Sequence, residues 1–315
     1  MLTKPLVSVI MPVYNAQNYV EEVILSILNQ TYQNFEFIII NDGSTDKSLE
    51  IIQKYAKKDN RIKVISRENK GLPYSLNEGI KLAKGKYIVR MDADDISISD
   101  RIERQLKFME NHLEVGIVGG AIISNHNIFT YYTNDKMIKA ELIFSTPFAH
   151  PCVMIRKEII AKYNLFYNEK FLHSQDFELF SRMAKFTKMA NLKEVVLKYR
   201  ILDSSITKNT KEKERYEFLN QIFTDYLKEL DFEINNKLHF YLSVNHRIKD
   251  NKIDKNELYN YFEKIINANK SKKIFDDFSL KKVLGKRWLW YVYYKKDFKA
   301  IFSKYFVYGL LGLKK

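Results

Sequence analysis

Two hydrophobic periods alternate along the first two hundred residues. Short runs rich in Val and Ile read as strands: "LVSVIMPVY" from Leu6, "FEFIII" (Phe35–Ile40), "RIKVIS" (Arg61–Ser66) and "KYIVRMD" (Lys86–Asp92). Between them, apolar residues recur at helical spacing. Val20, Val23, Ile24, Ile27 and Leu28 follow Asn18; Leu49, Ile52 and Tyr55 follow Thr45 or Asp46 as caps; Pro73 sits in the first turn of a third helix. Strand, helix, strand repeated in this way predicts βαβ units and a mainly parallel sheet between helical layers. A fourth helix is expected at about Asp100 to Asn111, a strand in "VGIVGGAI", a strand then a helix in "HPCVMIRKEII", and a helix from Ser174 to Phe186 with Phe177, Phe180, Met183 and Ala184 turned inward. From Lys208 onward the pattern is helical and charged, which divides the chain into an α/β domain over 1–205 and a helical region over 206–315.

The 315 residues, 46% hydrophobic, suffice for one large domain or for one domain with an appendage. The single cysteine, Cys152, excludes an internal disulfide framework; inside the apolar run "CVMI" it reads as a buried structural thiol rather than a nucleophile. No uncharged apolar run approaches the roughly 20 residues that span a bilayer, and the first residues carry no signal-peptide pattern, so a protein on the cytoplasmic side is expected.

The formal charge of +14 calls for an acidic partner, and its distribution is uneven. Residues 281–315 hold ten basic side chains against one acid, Asp297. Phe298, Ile301, Phe302, Tyr305, Phe306 and Leu310 follow one helical stripe, and "KRWLWYVYYKK" just upstream sets aromatics between cations. That mixture suits an amphipathic helix lying on an anionic membrane surface. Packing of the same aromatics on the first domain, or on a second copy in a homo-oligomer, is the open alternative.

In open α/β sheets ligands bind beyond the carboxyl ends of the strands. Here those ends carry "PVYNA", "NDGSTD", "SRENKG" and "DADD". Asp92, Asp94 and Asp95 follow one another with no base among them, so mutual repulsion asks for a cation. An EF-hand is excluded because Ile96 and Ser97 occupy positions that need a ligand and a glycine. For an isolated D-x-D, a solvated acidic turn capping the following helix is the better reading. A nicotinamide dehydrogenase is disfavoured, because no G-x-G-x-x-G follows the first strand.

Taken in order and spacing, "VSVIMPVYNA", "ILNQTYQNFEFIIINDGSTD" and "RMDADD" resemble the family 2 glycosyltransferases of the GT-A fold, in particular bacterial enzymes that extend lipopolysaccharide or capsular saccharides. The resemblance covers roughly residues 6–205. It implies a three-layer α/β/α sandwich whose nucleotide-binding part is 1–95 and whose acceptor-binding part is 96–205. It implies a UDP-sugar donor, with Pro12, Val13, Tyr14, Asn15, Asp42 and Ser44 around the nucleotide, and Mn2+ or Mg2+ on Asp92 and Asp94, the second being the more direct ligand. Arg90, Ala93 and Asn77 complete the donor-contacting set. Leu76 stands where relatives often carry Arg, so diphosphate neutralisation falls to the metal, Arg67 or Lys70. The family's base maps to Asp176, ionised at its helix N-terminus; Gln175 replaces the acid usually beside it. "YRIL" (Tyr199–Leu202) lacks the usual histidine, for which His150 and His173 are substitutes if they are not merely packing or surface residues.

The implied acceptor is a saccharide or glycolipid, and no nucleic acid is expected. Two other classes stay open at this point: a UDP-binding protein of this fold with little catalysis, suggested by Gln175 and Leu202, and a nucleic-acid-binding protein using the basic tail.

Overall fold

In the computed structural model, residues 6–202, 212–250 and 252–312 are described, and they divide into two compact units. The first takes Met1–Thr133 and Phe148–Asn209; the second takes Asn134–Pro147 and Thr210–Lys315.

The first unit grows from β1 (Val7–Val13), which is buried on both faces, as a parallel strand between two helical layers must be. Val7, Val9, Met11 and Val13 share a core with Val20, Val23, Ile24 and Ile27 of α1 (Val20–Leu28). β2 (Phe35–Asp42), α2 (Ser48–Ala56), β3 (Ile62–Arg67), α3 (Leu72–Leu82) and β4 (Tyr87–Arg90) complete the βαβ series. On the opposite face α3 lies so close to the sheet that a Cβ on Gly79 would stand 2.4 Å from Ile10 Cγ2. Next come β5 (Ile96–Ser97), α4 (Arg101–Asn111), β6 (Val115–Ser124), β7 (Asn127–Phe129), α5 (Asp135–Glu141), β8 (Met154–Arg156), α6 (Lys157–Tyr163), α7 (Gln175–Met183) and β9 (Lys188–Lys198).

The strands form one sheet in the order β3-β2-β1-β4-β8-β6-β9-β5, with β7 on β6. The expected parallel pairing holds across β3-β2-β1-β4 and returns between β6 and β9; β8, β5 and β7 run antiparallel to their neighbours, so the whole sheet is mixed. Two helix starts also differ from expectation. α1 begins after Tyr19 and α2 after Lys47, neither with a side-chain cap from its N-cap residue. Asp46 Oδ1 instead accepts from Ser48 N at 2.9 Å, one residue outside the expected role.

The second unit is helical: α5 with α8 (Glu212–Leu227), α9 (Asn236–Leu242), α10 (Asn245–Asp250), α11 (Lys255–Lys272), α12 (Asp277–Lys295) and α13 (Lys304–Gly312). A single boundary near residue 205 therefore does not describe the chain, because 134–147 groups with these later helices. Glu141 of α5 is buried and gripped by the Arg287 guanidinium at 2.7 and 2.8 Å, while His239 meets the Ile143 carbonyl at 2.6 Å. The single stripe expected over 298–310 is also corrected. A 3-10 turn (Phe298–Phe302) and α13 are separated by Ser303 in an extended conformation. Trp288 Nε1 donates to Ala300 O at 2.9 Å, which draws Ala300 inward and turns its large neighbours out. Trp288, Tyr291 and Tyr305 are buried within this unit, so part of the aromatic run packs on its own chain. Among the described residues, no helix is long and apolar enough to cross a membrane.

Candidate active site

The carboxyl ends of the adjacent parallel strands β2, β1 and β4 bring three loops to one edge of the sheet. The first two are laced together. Asn15 takes up a left-handed conformation (φ 49°), a geometry Asn tolerates, and its Oδ1 accepts from Thr45 N at 2.8 Å. In return, Asn15 N donates to Ser44 Oγ at 3.1 Å, Ala16 N to Ser48 Oγ at 2.8 Å and Gln17 N to Asp46 Oδ2 at 3.0 Å. Asn15 and Ser44 thus hold each other's loop. Val13 is buried, Pro12 half-buried, and Tyr14 stands 55% exposed at the rim.

Asp42 ends β2 as a buried carboxylate that accepts from the Arg67 guanidinium, from Lys70 N at 2.8 Å and from Gly71 N at 3.0 Å. Arg67 also donates to Glu78, Ser75 Oγ and Glu68 O, so four of its five donors serve the protein. Arg67 thus braces Asp42, with one guanidinium donor left over. Lys70 keeps an exposed ammonium, 3.7 Å from Glu68. Asn77 is redirected: it is buried, donates to Tyr167 O (2.9 Å) and Glu169 Oε1 (3.0 Å), and accepts from Tyr167 N at 2.8 Å. That amide fixes the loop before α7 and has no donor left for a phosphate.

The third loop carries the acids. One oxygen from each of Asp92, Asp94 and Asp95 falls within 4.8 Å of the others. The expectation that no base lies among them is overturned. Arg90, buried, is ion-paired with Asp92. Arg200, 105 positions beyond Asp95, donates its backbone N–H to Asp95 Oδ1 (2.9 Å) and Nη1 to Asp94 O (3.0 Å), and pairs with Glu22. Two guanidiniums do not neutralise three carboxylates. Burial first, and repulsion from Asp92 second, push the Asp94 carboxyl up to about 6 and that of Asp95 up to about 8. Asp95 Oδ2 is buried without a hydrogen-bond partner. A compact set of hard oxygen donors with an orphaned oxygen among them fits Mn2+ or Mg2+, and it adds Asp95 to the expected pair. Ala93, half-buried against the core, spaces the ligands.

Side chains with no obvious chemistry hold this loop rigid. Fully buried Arg101 donates to Arg90 O at 3.0 Å. Gln105 Nε2 donates to Cys152 O at 2.7 Å. Gln30 donates to Ile98 O at 2.7 Å and accepts from Ile102 N at 3.1 Å, binding "ILNQTYQNF" to the segment after the acids. Cys152 itself is a buried thiol whose ionisation burial opposes.

Asp176 opens α7, half-buried and within electrostatic range of Arg90 and Asp92. Burial pushes its carboxyl up, while the Phe177 N–H and Arg90 draw it down. The helix N-terminus acts in the expected direction but does not outweigh burial. His150 is the packing histidine rather than a substitute. Buried, it shares a 2.8 Å hydrogen bond with the Tyr167 hydroxyl, and burial and Arg90 keep the ring neutral. His173 is half-buried.

Comparison with known proteins gives the family and the fold. The family model "Glycosyl transferase family 2" matches residues 8–184. The chain is 35% identical over 212 residues to the O-antigen biosynthesis glycosyltransferase WbnJ of Escherichia coli, covering 65% of this chain and 83% of that one. Among solved structures it is similar to S. aureus TarS 1-349 in complex with UDP-GlcNAc, with a TM-score of 0.63 at 17% identity over 93% of this chain and 88% of that one. It is also similar to the mannosyltransferase PcManGT of Pyrobaculum calidifontis in complex with GDP-Man and Mn2+, with a TM-score of 0.59 at 16% identity over 99% and 84%. At these identities the two structures carry the fold.

Proposed function

The chain belongs to glycosyl transferase family 2, and from that premise we propose that it is an inverting, metal-dependent enzyme that moves a hexose or N-acetylhexosamine from a UDP-sugar to a saccharide or glycolipid acceptor in lipopolysaccharide, capsule or similar surface-glycan synthesis. The carrying observation is the three-carboxylate cluster beside the laced loops of β1 and β2, all at one edge of the sheet. The O-antigen role in WbnJ's name supports the pathway class. The UDP-GlcNAc on TarS supports a nucleotide-sugar donor, and the Mn2+ on PcManGT supports a divalent ion.

In this reading Tyr14 offers its exposed ring to the base, and Asp42, fixed by three donors, has a lone pair left to accept a pyrimidine N3–H. Asp94, Asp92 and Asp95 would hold Mn2+ or Mg2+, which supplies Lewis-acid stabilisation of charge on the leaving diphosphate. Lys70, whose exposed ammonium lies 3.7 Å from Glu68, is the side-chain cation offered to that diphosphate. Asp176 takes the proton of an acceptor hydroxyl as its oxygen bonds to sugar C1 and the bond from C1 to the diphosphate oxygen breaks; UDP departs and the anomeric configuration inverts. We place the enzyme at the cytoplasmic face of the membrane, with 281–315 toward anionic lipid.

A UDP-sugar panel with Mn2+, assayed for hydrolysis and for transfer to candidate saccharides, tests the whole reading. Asp176→Asn abolishes transfer and leaves UDP affinity within about twofold; undiminished turnover would remove Asp176 from its role.

A further inference from the structure

In the second unit, α12 and α13 pack through glycines. A Cβ on Gly285 would stand 2.2 Å from Gly309 N, and one on Gly309 would stand 2.5 Å from Gly285 O. α13 thereby gives Tyr305, Gly309 and Gly312 to its own protein and leaves Val307, Leu310 and Leu311 about half exposed. The turn before it does the same: Ala300 is buried, while Phe298 (72%) and Phe302 (88%) face out, as does Tyr293 (75%) near the end of α12. A helix on a water-facing surface buries its large apolar residues and exposes small or polar ones. Here, Tyr305 apart, small residues are buried and large apolar ones exposed over a run of twenty residues. Cations border the run. The ammonium groups of Lys296 and Lys299 have no carboxylate partner among the described residues, the Lys299 backbone N–H donates to Asp297 Oδ1 at 3.1 Å, and the ammonium of Lys295 rests on the Lys249 carbonyl. The local acid, Asp297, is 3.5 Å from Lys255 and within hydrogen-bond distance of the Tyr291 hydroxyl.

We infer that Tyr293, Phe298, Phe302 and the outer face of α13 enter an anionic lipid surface, with Lys296 and Lys299 at the level of its phosphates. This refines, and rests on, the reading of 281–315 as membrane-directed, and it replaces the single amphipathic helix with an aromatic turn and a glycine-seated helix. Charge selects the occupant. Two copies of this face would bring lysines against lysines, whereas anionic headgroups complement them.

The test uses the full chain, vesicle co-sedimentation, and two variants altered at exposed side chains, Phe298→Ser with Phe302→Ser and Lys296→Glu with Lys299→Glu. Vesicles containing phosphatidylglycerol are expected to bind the protein about tenfold or more tightly than phosphatidylcholine alone, with a loss at high salt. Each variant is expected to lose about tenfold of that binding, with unchanged melting temperature and unchanged UDP-sugar hydrolysis in solution. Absence of binding to the anionic vesicles, or variants that bind as the parent does, overturns the inference. So does a dimer in gel filtration that the Phe variant turns into a monomer without any vesicle binding, since the face would then belong to a second copy. Hydrolysis without vesicles reports on the transferase reading separately, so the two failures are distinguishable.

Discussion

Replacing Arg287 by Met removes one partner of a buried ion pair and leaves the other in place. Glu141 and Arg287 are both buried, joined by two hydrogen bonds of 2.7 and 2.8 Å, with Ser145 Oγ donating to the same carboxylate at 2.9 Å. Burial acts to raise the Glu141 carboxyl, yet Arg287, and after it Lys286, hold it down at about 2 against an ordinary 4.5. At about 1.4 kcal/mol for each tenfold, that difference amounts to about 3 kcal/mol. Stranding a buried charge costs about 3 to 5 kcal/mol by an independent route, so the two estimates agree. The expected loss in thermal denaturation at pH 7 is about 10 °C. Its pH dependence follows from the sign: the native carboxyl titrates below its unfolded value, so the pair's contribution is complete above about pH 4.5 and fades as pH falls toward 2. The gap between parent and variant therefore narrows below pH 4.5. Glu141→Gln added to Arg287→Met recovers part of the loss, because no buried carboxylate is then left without Arg287, and the partly exposed Lys286 ammonium that loses its partner can turn to water. A deficit under about 1 kcal/mol at pH 7, or one that persists unchanged at low pH, refutes the reasoning.

Asn77→Ala strands the Tyr167 N–H and C=O, lowering stability by about 2 kcal/mol or more in urea unfolding, while UDP affinity by calorimetry stays within about threefold; a tenfold loss of affinity would restore Asn77 as a donor contact. Protons compete with a metal at Asp94 and Asp95, so stabilisation by Mn2+ in a thermal-shift assay grows as pH rises from 6 to 8 and vanishes in Asp94→Ala; a shift independent of pH would count against the cluster as the ion's site. Gly309→Ala forces a methyl into Gly285 O and Leu289, lowering stability by about 1 to 3 kcal/mol in chemical denaturation, whereas an unchanged midpoint would mean that the helices separate freely.

Where a residue's fate depends on its neighbours in sequence, the chain could be read directly. Val7 to Val13 and Phe35 to Ile40 are apolar but for Ser8 and Glu36, which bond each other, because both faces of those strands are covered, and three acids within four positions announce their own repulsion. Partners distant in sequence left no such trace. Arg90 stands two residues before Asp92, yet nothing local says that its side chain folds back to pair with it, and Arg200 reaches the cluster across more than a hundred positions. The starts of α1 and α2 carry no local signal for a related reason. Asp46 and Ser48 cap across to the other loop, at Gln17 and Ala16, rather than only along their own helix. Nothing in "NDKMIKAELIFSTP" marks it for the helical unit, since its anchors Arg287 and His239 lie 146 and 96 positions away from the residues they hold. The tail defeated the periodicity argument more simply. Both faces of α13 are apolar, so counting hydrophobic positions cannot tell which face the glycines seat.

The acidic loop is costly to hold, and that cost bears on what it is for. Buried polar atoms in folded proteins are almost always paired. Here Arg90 Nε and Asp95 Oδ2 are not, within one cluster braced from behind by Arg101, Gln105 and Gln30. A solvated helix cap would need none of this bracing, because water would satisfy the carboxylates and relaxation would separate them. Rigid support of mutually repelling acids makes physical sense when the geometry is kept ready for something that arrives already charged. Under the proposed reading a divalent ion with a diphosphate would satisfy both signs at once, with the carboxylates to hold the ion and the exposed ammonium of Lys70 to offer the phosphates a cation. Preorganisation of this kind would also account for the hydrogen bonds of Asn77 and Arg67, which under the proposed reading fix the loops that must not move as charge develops.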